Sequence, residues 1–319
     1  MATKRVVNLP NVAGWIGTAG AGFSAHTIIV DLPVGPRYHE IWIQANPGAG
    51  KFLLDTNGTN GLLKEIRLKV NGKIQRQATA DEINRINLLN GVMYACRGGA
   101  TAAAAAELCI YLAEPWRENE DAQDGLAWAT GDVATFQVEI DIVAYGGAAA
   151  GLTKPTALAV IDNSLVDVGN NKQGDAPMGA IVKWRQVQIP VSSGWNDFGG
   201  LPKRDFYQSL HLFDYANFVQ FEVKVDNNIV RQDTKAGNEQ RLSAHAMLPA
   251  PTATATPYTV VADMPARNMV DIVFDHDDKV SSSLPMRFNG KQVGDFNLRL
   301  NTTTTGTVKC IYQLIGPAD

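Results

Sequence analysis

The sequence lacks the features that mark disulfide-rich secreted domains, membrane proteins and nucleic-acid-binding proteins. It has three cysteines, Cys96, Cys109 and Cys310, and their spacing fits neither a disulfide framework nor a zinc site. No stretch reaches the roughly 18 apolar residues that a membrane-spanning helix needs. The net charge is -4 without a long run of like charges, which argues against direct binding of nucleic-acid phosphates. We therefore expect buried thiols in a reducing compartment and no export signal at the N-terminus.

Catalytic signatures are missing as well. Gly48–Lys51 resembles a phosphate loop, but Ala45 stands where the loop needs glycine and Phe52 stands where it needs serine or threonine. The histidines include no His-x-His pair, which disfavours a bicupin metalloenzyme. No Gly-x-Ser-x-Gly elbow is present, and no pattern groups a nucleophile with a base and an orienting acid. We predict that the chain is not an enzyme and requires no cofactor.

One cluster of carboxylates is a candidate site for a hard cation. Asp275, Asp277 and Asp278 follow the apolar stretch Val270–Phe274, which places them in a loop at the end of a sandwich. Clustered carboxylates suit Ca²⁺, although this spacing matches no EF-hand loop. The pattern leaves two interpretations open, a Ca²⁺ site and a solvated acidic turn.

The sequence does contain an internal duplication. Ile66–Thr79 and Phe221–Thr234 each show an alternating strand, a tight turn and a returning strand that contains Arg-Gln. Asn71–Gly72 is a strong hairpin signal because a type I′ turn needs positive φ at both central residues, and Asp226–Asn227 supplies the same tolerance. Further similar segments follow in the same order: Tyr38–Ile43 with Tyr207–Leu212, and Gly131–Ile140 with Gly294–Leu300. This order predicts a duplicated domain.

Short alternating strands dominate both halves, and Thr79 with Glu82 forms a capping box that predicts one helix, Ala80–Asn90. The predicted strands are Phe23–Leu32, Tyr38–Gln44, Leu63–Val70, Lys73–Gln77, Glu107–Leu112, Leu126–Ala129, Thr135–Val143, Ile181–Ile189, Gln208–Phe213, Phe218–Val225, Asn228–Gln232, Met269–Phe274, Leu284–Phe288, Phe296–Leu300 and Thr307–Leu314. Asn46–Gly61 and Leu248–Pro257 are predicted loops.

The pattern predicts an all-β chain of two tandem eight-stranded antiparallel jelly-roll sandwiches with few short helices. Residues 1–150 would form the first jelly roll with an arm over residues 1–20. The Ala/Gly-rich residues 151–179 would form a connection, and residues 180–319 the second jelly roll.

Three features resemble the major capsid protein of corticoviruses, which are tailless icosahedral bacteriophages with an internal membrane. They are Leu9–Ala13, the hairpin Leu68–Lys73 followed by a short helix, and the strand Val138–Ile142 leading into an Ala/Gly-rich connection. The resemblance implies a double jelly roll that forms homotrimers, which tile the virion shell as pseudo-hexagonal capsomers. It further implies assembly in the host cytoplasm, with neighbouring capsomers and minor capsid or penton proteins as partners.

The N-terminal arm has a predicted role in this picture. Lys4 and Arg5 are its only charged residues before Asp31, and both are positive. Anionic lipid attracts such residues by about 1 kcal/mol each. We therefore expect Lys4 and Arg5 to lie near the internal membrane.

A two-domain carbohydrate-binding or glycan-processing sandwich is the competing hypothesis. It needs exposed aromatic side chains beside polar loops, and four tryptophans lie near predicted loops, namely Trp15, Trp116, Trp128 and Trp195. Aromatic residues in loops also become buried at subunit contacts, so the sequence alone leaves both functions open.

Overall fold

The structure is a computed structural model that describes residues 4–10, 12–18, 21–48, 51–55, 61–90, 106–117, 119–147, 150–163, 165–167, 173–213, 217–244, 269–275 and 279–319. These residues fall into two units. Unit 1 comprises Met1–Ile181 and Pro317–Asp319, and unit 2 lies within residues 182–316. No helix in the described ranges is long and apolar enough to span a membrane.

Unit 1 contains twelve named strands and two helices. The elements are β1 (Arg5–Asn8), β2 (His26–Leu32), β3 (Arg37–Ala45), β4 (Phe52–Leu54), β5 (Gly61–Val70), β6 (Lys73–Thr79), α1 (Ala80–Leu89), β7 (Ala106–Tyr111), α2 (Glu120–Asp124), β8 (Trp128–Ala129), β9 (Phe136–Ile142), β10 (Thr156–Asp162), β11 (Leu165–Asp167) and β12 (Gln173–Asp175). One sheet has the order β1-β10-β3-β7, with β8 on β3, and the other has the order β2-β9-β5-β4, with β6 on β5. Strands β11 and β12 form a separate ribbon.

Unit 2 repeats this arrangement. Its elements are β13 (Ala180–Val191), β14 (Gly194–Phe198), β15 (Phe206–Phe213), β16 (Phe218–Val225), β17 (Asn228–Thr234), α3 (Lys235–Ala244), β18 (Met269–Val273), a 3-10 turn (Val280–Ser282), β19 (Leu284–Pro285), β20 (Arg287–Phe288), β21 (Lys291–Gln292), β22 (Phe296–Thr302) and β23 (Gly306–Pro317). The sheets are β13-β23-β15-β18, with β19 on β15, and β14-β22-β16-β17, while β20 and β21 form a ribbon. Unit 1 thus pairs two five-stranded sheets, and unit 2 pairs a five-stranded with a four-stranded sheet. The all-β double jelly-roll fold is as predicted.

The core of each unit lies between its two sheets because the strands alternate. In β9, Phe136, Val138, Ile140 and Ile142 are buried and the intervening polar residues are half-buried. Strand β22 shows the same alternation. Burial of apolar surface stabilises such a sandwich by about 25 cal/mol per Å². The strand pattern of the sequence is therefore what selects the two-layer fold.

Several features differ from the sequence prediction, which included neither strand β14 nor helix α2. Strand β10 lies in the predicted connection 151–179, yet it pairs with both β1 and β3 inside unit 1. Strand β4 lies in the predicted loop Asn46–Gly61 and pairs with β5 in parallel, whereas antiparallel pairing was expected throughout. Helix α3 was not predicted. The predicted loop Leu248–Pro257 lies outside the described residues.

The two hairpins have the same geometry, as the similarity of Ile66–Thr79 to Phe221–Thr234 predicts. Asn71 and Gly72 have φ values of 50° and 76°, and Asp226 and Asn227 have φ values of 48° and 64°. Each hairpin contains one bulge in the returning strand, at Gln75 in the first and at the corresponding position in the second. Both turns are therefore of the type that needs positive φ at two successive residues.

Replacing Gly72 with valine is expected to lower the free energy of unfolding by about 1–3 kcal/mol. No atom lies within 4 Å of a Cβ built at Gly72, so the cost arises from the positive φ, which a β-branched residue resists. Denaturant titration measures it. The matched control is Lys73→Val, which lies next in the chain on an exposed strand position and should change stability by less than about 0.5 kcal/mol. An unchanged stability in Gly72→Val would remove the turn assignment.

Candidate functional site

The duplicated turns are fixed by equivalent side-chain caps. The first residue of each turn accepts two hydrogen bonds from the backbone of the loop that precedes the neighbouring strand, β9 or β22. The bonds are Ala134 N and Thr135 N to Asn71 Oδ1 at 2.8 and 3.2 Å, and Gly294 N and Asp295 N to Asp226 Oδ1, both at 2.8 Å. The amide oxygen of Asn71 and the carboxylate oxygen of Asp226 thus accept equivalent hydrogen bonds. The duplication therefore extends to hydrogen bonds that sequence similarity alone did not reveal.

A buried tyrosine lies near the start of the central strand of each unit, β3 or β15. Tyr38 donates its hydroxyl hydrogen bond to the Pro33 carbonyl at 2.5 Å, and Tyr207 donates to the Pro202 carbonyl at 2.7 Å. Both tyrosines are 0% exposed. Burial raises the pKa of both phenols well above the ordinary value. Each phenol therefore stays neutral and ties the strand to the loop before it.

The residue after each tyrosine is buried and polar, and it forms a β-bulge in the pairing of the central strand with its neighbour, β10 or β23. His39 contacts Asp162 Oδ2 at 2.9 Å, and Gln208 Nε2 donates to Asp275 Oδ2 at 3.2 Å. The Asp162 carboxylate also binds Arg37 Nη2 at 2.6 Å. Desolvation by burial raises the pKa of Asp162, but the hydrogen bonds from Arg37 and then His39, with their charges, together outweigh it and lower the pKa. Both units thus place a buried carboxylate beside the bulge.

Of the three candidate calcium ligands, Asp275 alone is described. It is 3% exposed and bonded to Gln208, so it lies inside unit 2. Asp277 and Asp278 lie outside the described residues. No group of three metal-ligating side chains occurs in the part of the chain that the structure covers. The Ca²⁺ site stays a prediction.

The structure places both basic residues of the arm beside polar groups of unit 1. Lys4 Nζ lies 2.7 Å from Asp124 Oδ1, and the two side chains are 45% and 30% exposed. Arg5 begins β1, which pairs with β10, and its guanidinium bonds Asn163 Oδ1 at 3.4 Å. An exposed ion pair of this kind contributes about 0–1 kcal/mol. Residues 5–8 are therefore part of a sheet, and Lys4, directly before it, is paired with Asp124.

Unit 2 contains a hydrogen-bonded Ser-His-Asp chain that the sequence analysis did not foresee. Ser209 Oγ lies 2.8 Å from His211 Nε2, and His211 Nδ1 lies 2.6 Å from Asp271 Oδ1. These residues lie on neighbouring strands and are at most 3% exposed. The Ser209 hydroxyl also lies 2.9 Å from Gln313 Oε1, so it bridges His211 and Gln313 inside the unit. The chain is a buried structural network.

The outer faces of the two hairpin sheets hold an ion pair of inverted polarity. Arg67 on β5 lies opposite Glu139 on β9, whereas Glu222 on β16 lies opposite Arg299 on β22. The corresponding distances are 3.2 Å and 2.8 Å. Opposite charges directly across a ladder stabilise it by roughly 0.2–1 kcal/mol. The two units keep the pair while exchanging its charges.

Unit 1 is expected to lose stability in acid because the carboxylates of Glu139 and Asp141 become protonated and lose their ion pairs. Lys69 and then Arg67 lower the pKa of Glu139 from 4.5, and Arg67 lowers that of Asp141 from 3.8. A lowered carboxyl pKa gives stability that is present above the unfolded-state pKa and lost as pH falls through the folded-state pKa. Arg67→Met should therefore lower Tm at neutral pH and have a shrinking effect below about pH 4.5. Thermal unfolding from about pH 7 to about pH 2.5 measures this, and a constant difference in Tm would contradict it.

The tryptophans do not form an exposed platform for a sugar. Trp128 is 0% exposed. Trp116 packs edge-on against Tyr111 at 5.8 Å, and Trp195 lies beneath the Arg299 guanidinium at 4.8 Å. Trp15 packs against neighbouring aromatic rings of its own unit. Only separate, partly covered rings remain, so the geometry gives the glycan hypothesis no support.

The comparisons with known proteins agree with this architecture. Residues 19–157 match the family model described as "Viral coat protein P2 N-terminal domain". No curated protein sequence matches the chain.

Three solved structures share the fold. The major capsid protein P2 from bacteriophage PM2 is similar with a TM-score of 0.70 and 17% identity, over 99% of this chain and 98% of that chain. The STIV MCP has a TM-score of 0.63 and 12% identity, over 99% and 97% of the two chains. The PBCV-1 virus capsid has a TM-score of 0.59 and 9% identity, over 99% and 94%. The chain therefore resembles the double jelly-roll viral capsid proteins, in sequence over residues 19–157 and in fold over nearly its whole length.

Proposed function

We propose that the chain is a structural major capsid protein. The observation that carries this proposal is the match of nearly the whole chain, both jelly rolls included, to the PM2 capsid protein fold. The Ser209–His211–Asp271 chain is at most 3% exposed, which agrees with a structural role. The virion shell is then the location of the protein, after assembly in the host cytoplasm.

In this proposal three copies form a trimer whose six jelly rolls make a pseudo-hexagonal capsomer. Capsomers contact one another and minor capsid or penton proteins in an icosahedral shell. Obligate interfaces of this type bury more than about 2,000 Å² in total. Light scattering on the purified protein should give three times the chain mass of 34.4 kDa. A stable monomer at every concentration would contradict the trimer.

The shell is proposed to surround an internal membrane, with residues 1–12 on its inner side. Because Lys4 is paired with Asp124, Arg5 and the multiplicity of copies would supply most of the attraction to anionic lipid. Protease should remove residues 1–5 from free trimers and spare them in intact particles. Equal cleavage in both would contradict the inward placement.

Calcium binding at Asp275, Asp277 and Asp278 is a separate proposal. The carboxylate of Asp275 is already held by Gln208, so Ca²⁺ would have to compete with that bond. Equilibrium dialysis with Ca²⁺ should show one site per chain, which the double change Asp277→Asn, Asp278→Asn removes. The same Ca²⁺ uptake in wild type and variant would reject the site.

A further inference from the structure

The helix face is covered in unit 1 and open in unit 2. We define this face as the returning hairpin strand with the helix that follows it, β6 with α1 and β17 with α3. All ten residues of α1 are buried, as are Gln75 and Arg76 on β6. No residue of β17 is buried, and α3 exposes Ala236 and residues 239–241. The two copies of one face therefore differ in what surrounds them.

The sheet face shows the opposite difference. We define it as the side of the central strands that points away from the sandwich core, where Trp42 in unit 1 corresponds to His211 in unit 2. In unit 2 this side is buried apart from the half-buried Lys309; its buried residues are Ser209, His211, Phe213, Met269, Asp271, Val273, Ile311, Gln313 and Ile315. In unit 1 the corresponding positions on β3 and β10 are half-buried, namely Glu40, Trp42, Gln44, Leu158 and Val160, whereas Cys109 and Tyr111 on β7 are buried. Val6 on β1 is 67% exposed. The open part of this face therefore lies on β3, β10 and β1.

We propose that the open helix face of unit 2 in one copy binds the open sheet face of unit 1 in a second copy of this chain. This inference rests on the proposed trimer and names the surfaces that form it. The contact is head-to-tail, since each copy contributes a different face, and such contacts close into a ring when the rotation between copies closes. Each copy then has both open faces covered.

Arg231 indicates that the helix face of unit 2 is incomplete in the single chain. Its equivalent in unit 1, Arg76, donates to the Tyr111 carbonyl and lies 5.1 Å above the Trp128 ring. The Nε of Arg231 is buried yet has no hydrogen-bond partner among the described residues. A buried N–H without a partner costs about 1–3 kcal/mol. An acceptor from a second copy would remove this cost.

The chemistry of the two open faces is complementary. Glu40 and Glu107 lie on the sheet face, and Arg231, Lys235 and Arg241 lie on the helix face beside two acidic residues. Each face also carries apolar side chains, with Ile229 and Val230 at 50% and 43% exposure on one, and Val6, Leu158 and Val160 on the other. Charges of opposite sign at the rim of an apolar patch select one partner face over others.

A charge exchange tests the pairing of the two faces. Arg231→Glu with Lys235→Glu should raise the trimer dissociation constant by about 100-fold, and Glu40→Lys with Glu107→Lys should do the same, because each double change opposes like charges. All four changes in one chain should restore trimers, since every contact then joins reversed faces. Native mass spectrometry over a dilution series measures the fraction of trimer.

The control is Arg287→Glu with Lys291→Glu, an equal change of charge on the exposed β20–β21 ribbon, which should leave the trimer intact. If the wild type forms trimers and the double variants do so equally well, the pairing of these two faces is wrong but the trimer stands. The same holds if the fourfold variant forms no more trimer than the double variants. A monomeric wild type would overturn the proposed trimer as well.

Hydrogen exchange gives a second test that needs no substitution. Amides of β17 and α3 should exchange at least about tenfold more slowly in the wild-type trimer than in chains dissociated by dilution. The β20–β21 ribbon should exchange equally in both. Unchanged exchange in β17 and α3 would overturn the proposal even if a charge variant failed to fold.

Discussion

Replacing Asp271 with alanine is expected to lower the free energy of unfolding by about 3–5 kcal/mol. The carboxylate lies 2.6 Å from His211 Nδ1, and both side chains are 1% exposed. Its removal leaves the imidazole with an unsatisfied donor in a place that water does not reach. The Asn238 amide bonds the backbone carbonyl of Asp271 and is retained, so the loss reports the carboxylate. Denaturant titration followed by circular dichroism measures it.

The control for this variant is Asp271→Asn, which keeps an acceptor oxygen toward His211 and should lose less than the alanine variant. Ser209→Ala should cost about 1–3 kcal/mol, because it removes a hydroxyl that bridges His211 and Gln313. A loss below about 1 kcal/mol in Asp271→Ala would show that the buried pair does not hold the strands together.

The sequence predicted the elements whose signals are local. The hairpin turn at Asn71–Gly72, its echo at Asp226–Asn227 and the start of α1 at Thr79 are confirmed, and the capping box of Thr79 and Glu82 is present with both bonds. Each of these signals lies within four residues and depends on backbone geometry alone. The predicted end of the helix at Asn90 lies one residue beyond the last helical residue, Leu89.

The missed elements had weak local signals. In β10 the inward residues Ala157 and Ala159 are small, and the flanking Ala/Gly-rich sequence resembles a linker. In α3 the only large apolar residue with a described side chain is Leu242, and Gly237 stands where α1 has the glutamate of its capping box. Thr234 nonetheless accepts a hydrogen bond from Gly237 N at 3.1 Å, as Thr79 does from its own third residue. Thr234 is the counterpart of Thr79 in the duplicated hairpin. Because Thr79 begins α1, the duplication itself would have predicted a helix after Thr234.

The sites were less predictable than the fold because their residues are brought together by sheet pairing. Asp271 lies 60 residues from His211 in the chain and directly opposite it in the sheet. Periodicity shows which face a residue occupies, but not which strand lies beside it. The burial of Asp275 had the same cause, since its partner Gln208 reaches it only through the pairing of β15 with β18.

Replacing Phe136 or Phe296 with alanine is expected to cost about 3–5 kcal/mol in each case. The two residues occupy corresponding positions, since Phe136 pairs with Val70 beside one turn and Phe296 pairs with Val225 beside the other. Phe136 meets the Tyr38 ring edge-on at 5.2 Å, and Phe296 meets the Tyr207 ring at 4.8 Å. Each substitution leaves a cavity beside the tyrosine that ties the central strand to its preceding loop.

Equal losses in the two variants are the expected result of duplication, because both rings are at most 1% exposed and fill the same place in their own sandwich. The control is Phe288→Ala, whose ring is 46% exposed, and it should change stability by less than about 0.5 kcal/mol. Denaturant titration with two probes, tryptophan fluorescence and circular dichroism, measures all three variants. If Phe296→Ala behaved like Phe288→Ala while Phe136→Ala lost several kcal/mol, the two sandwiches would not share one packing scheme, and the equivalence drawn from the hairpins would be wrong.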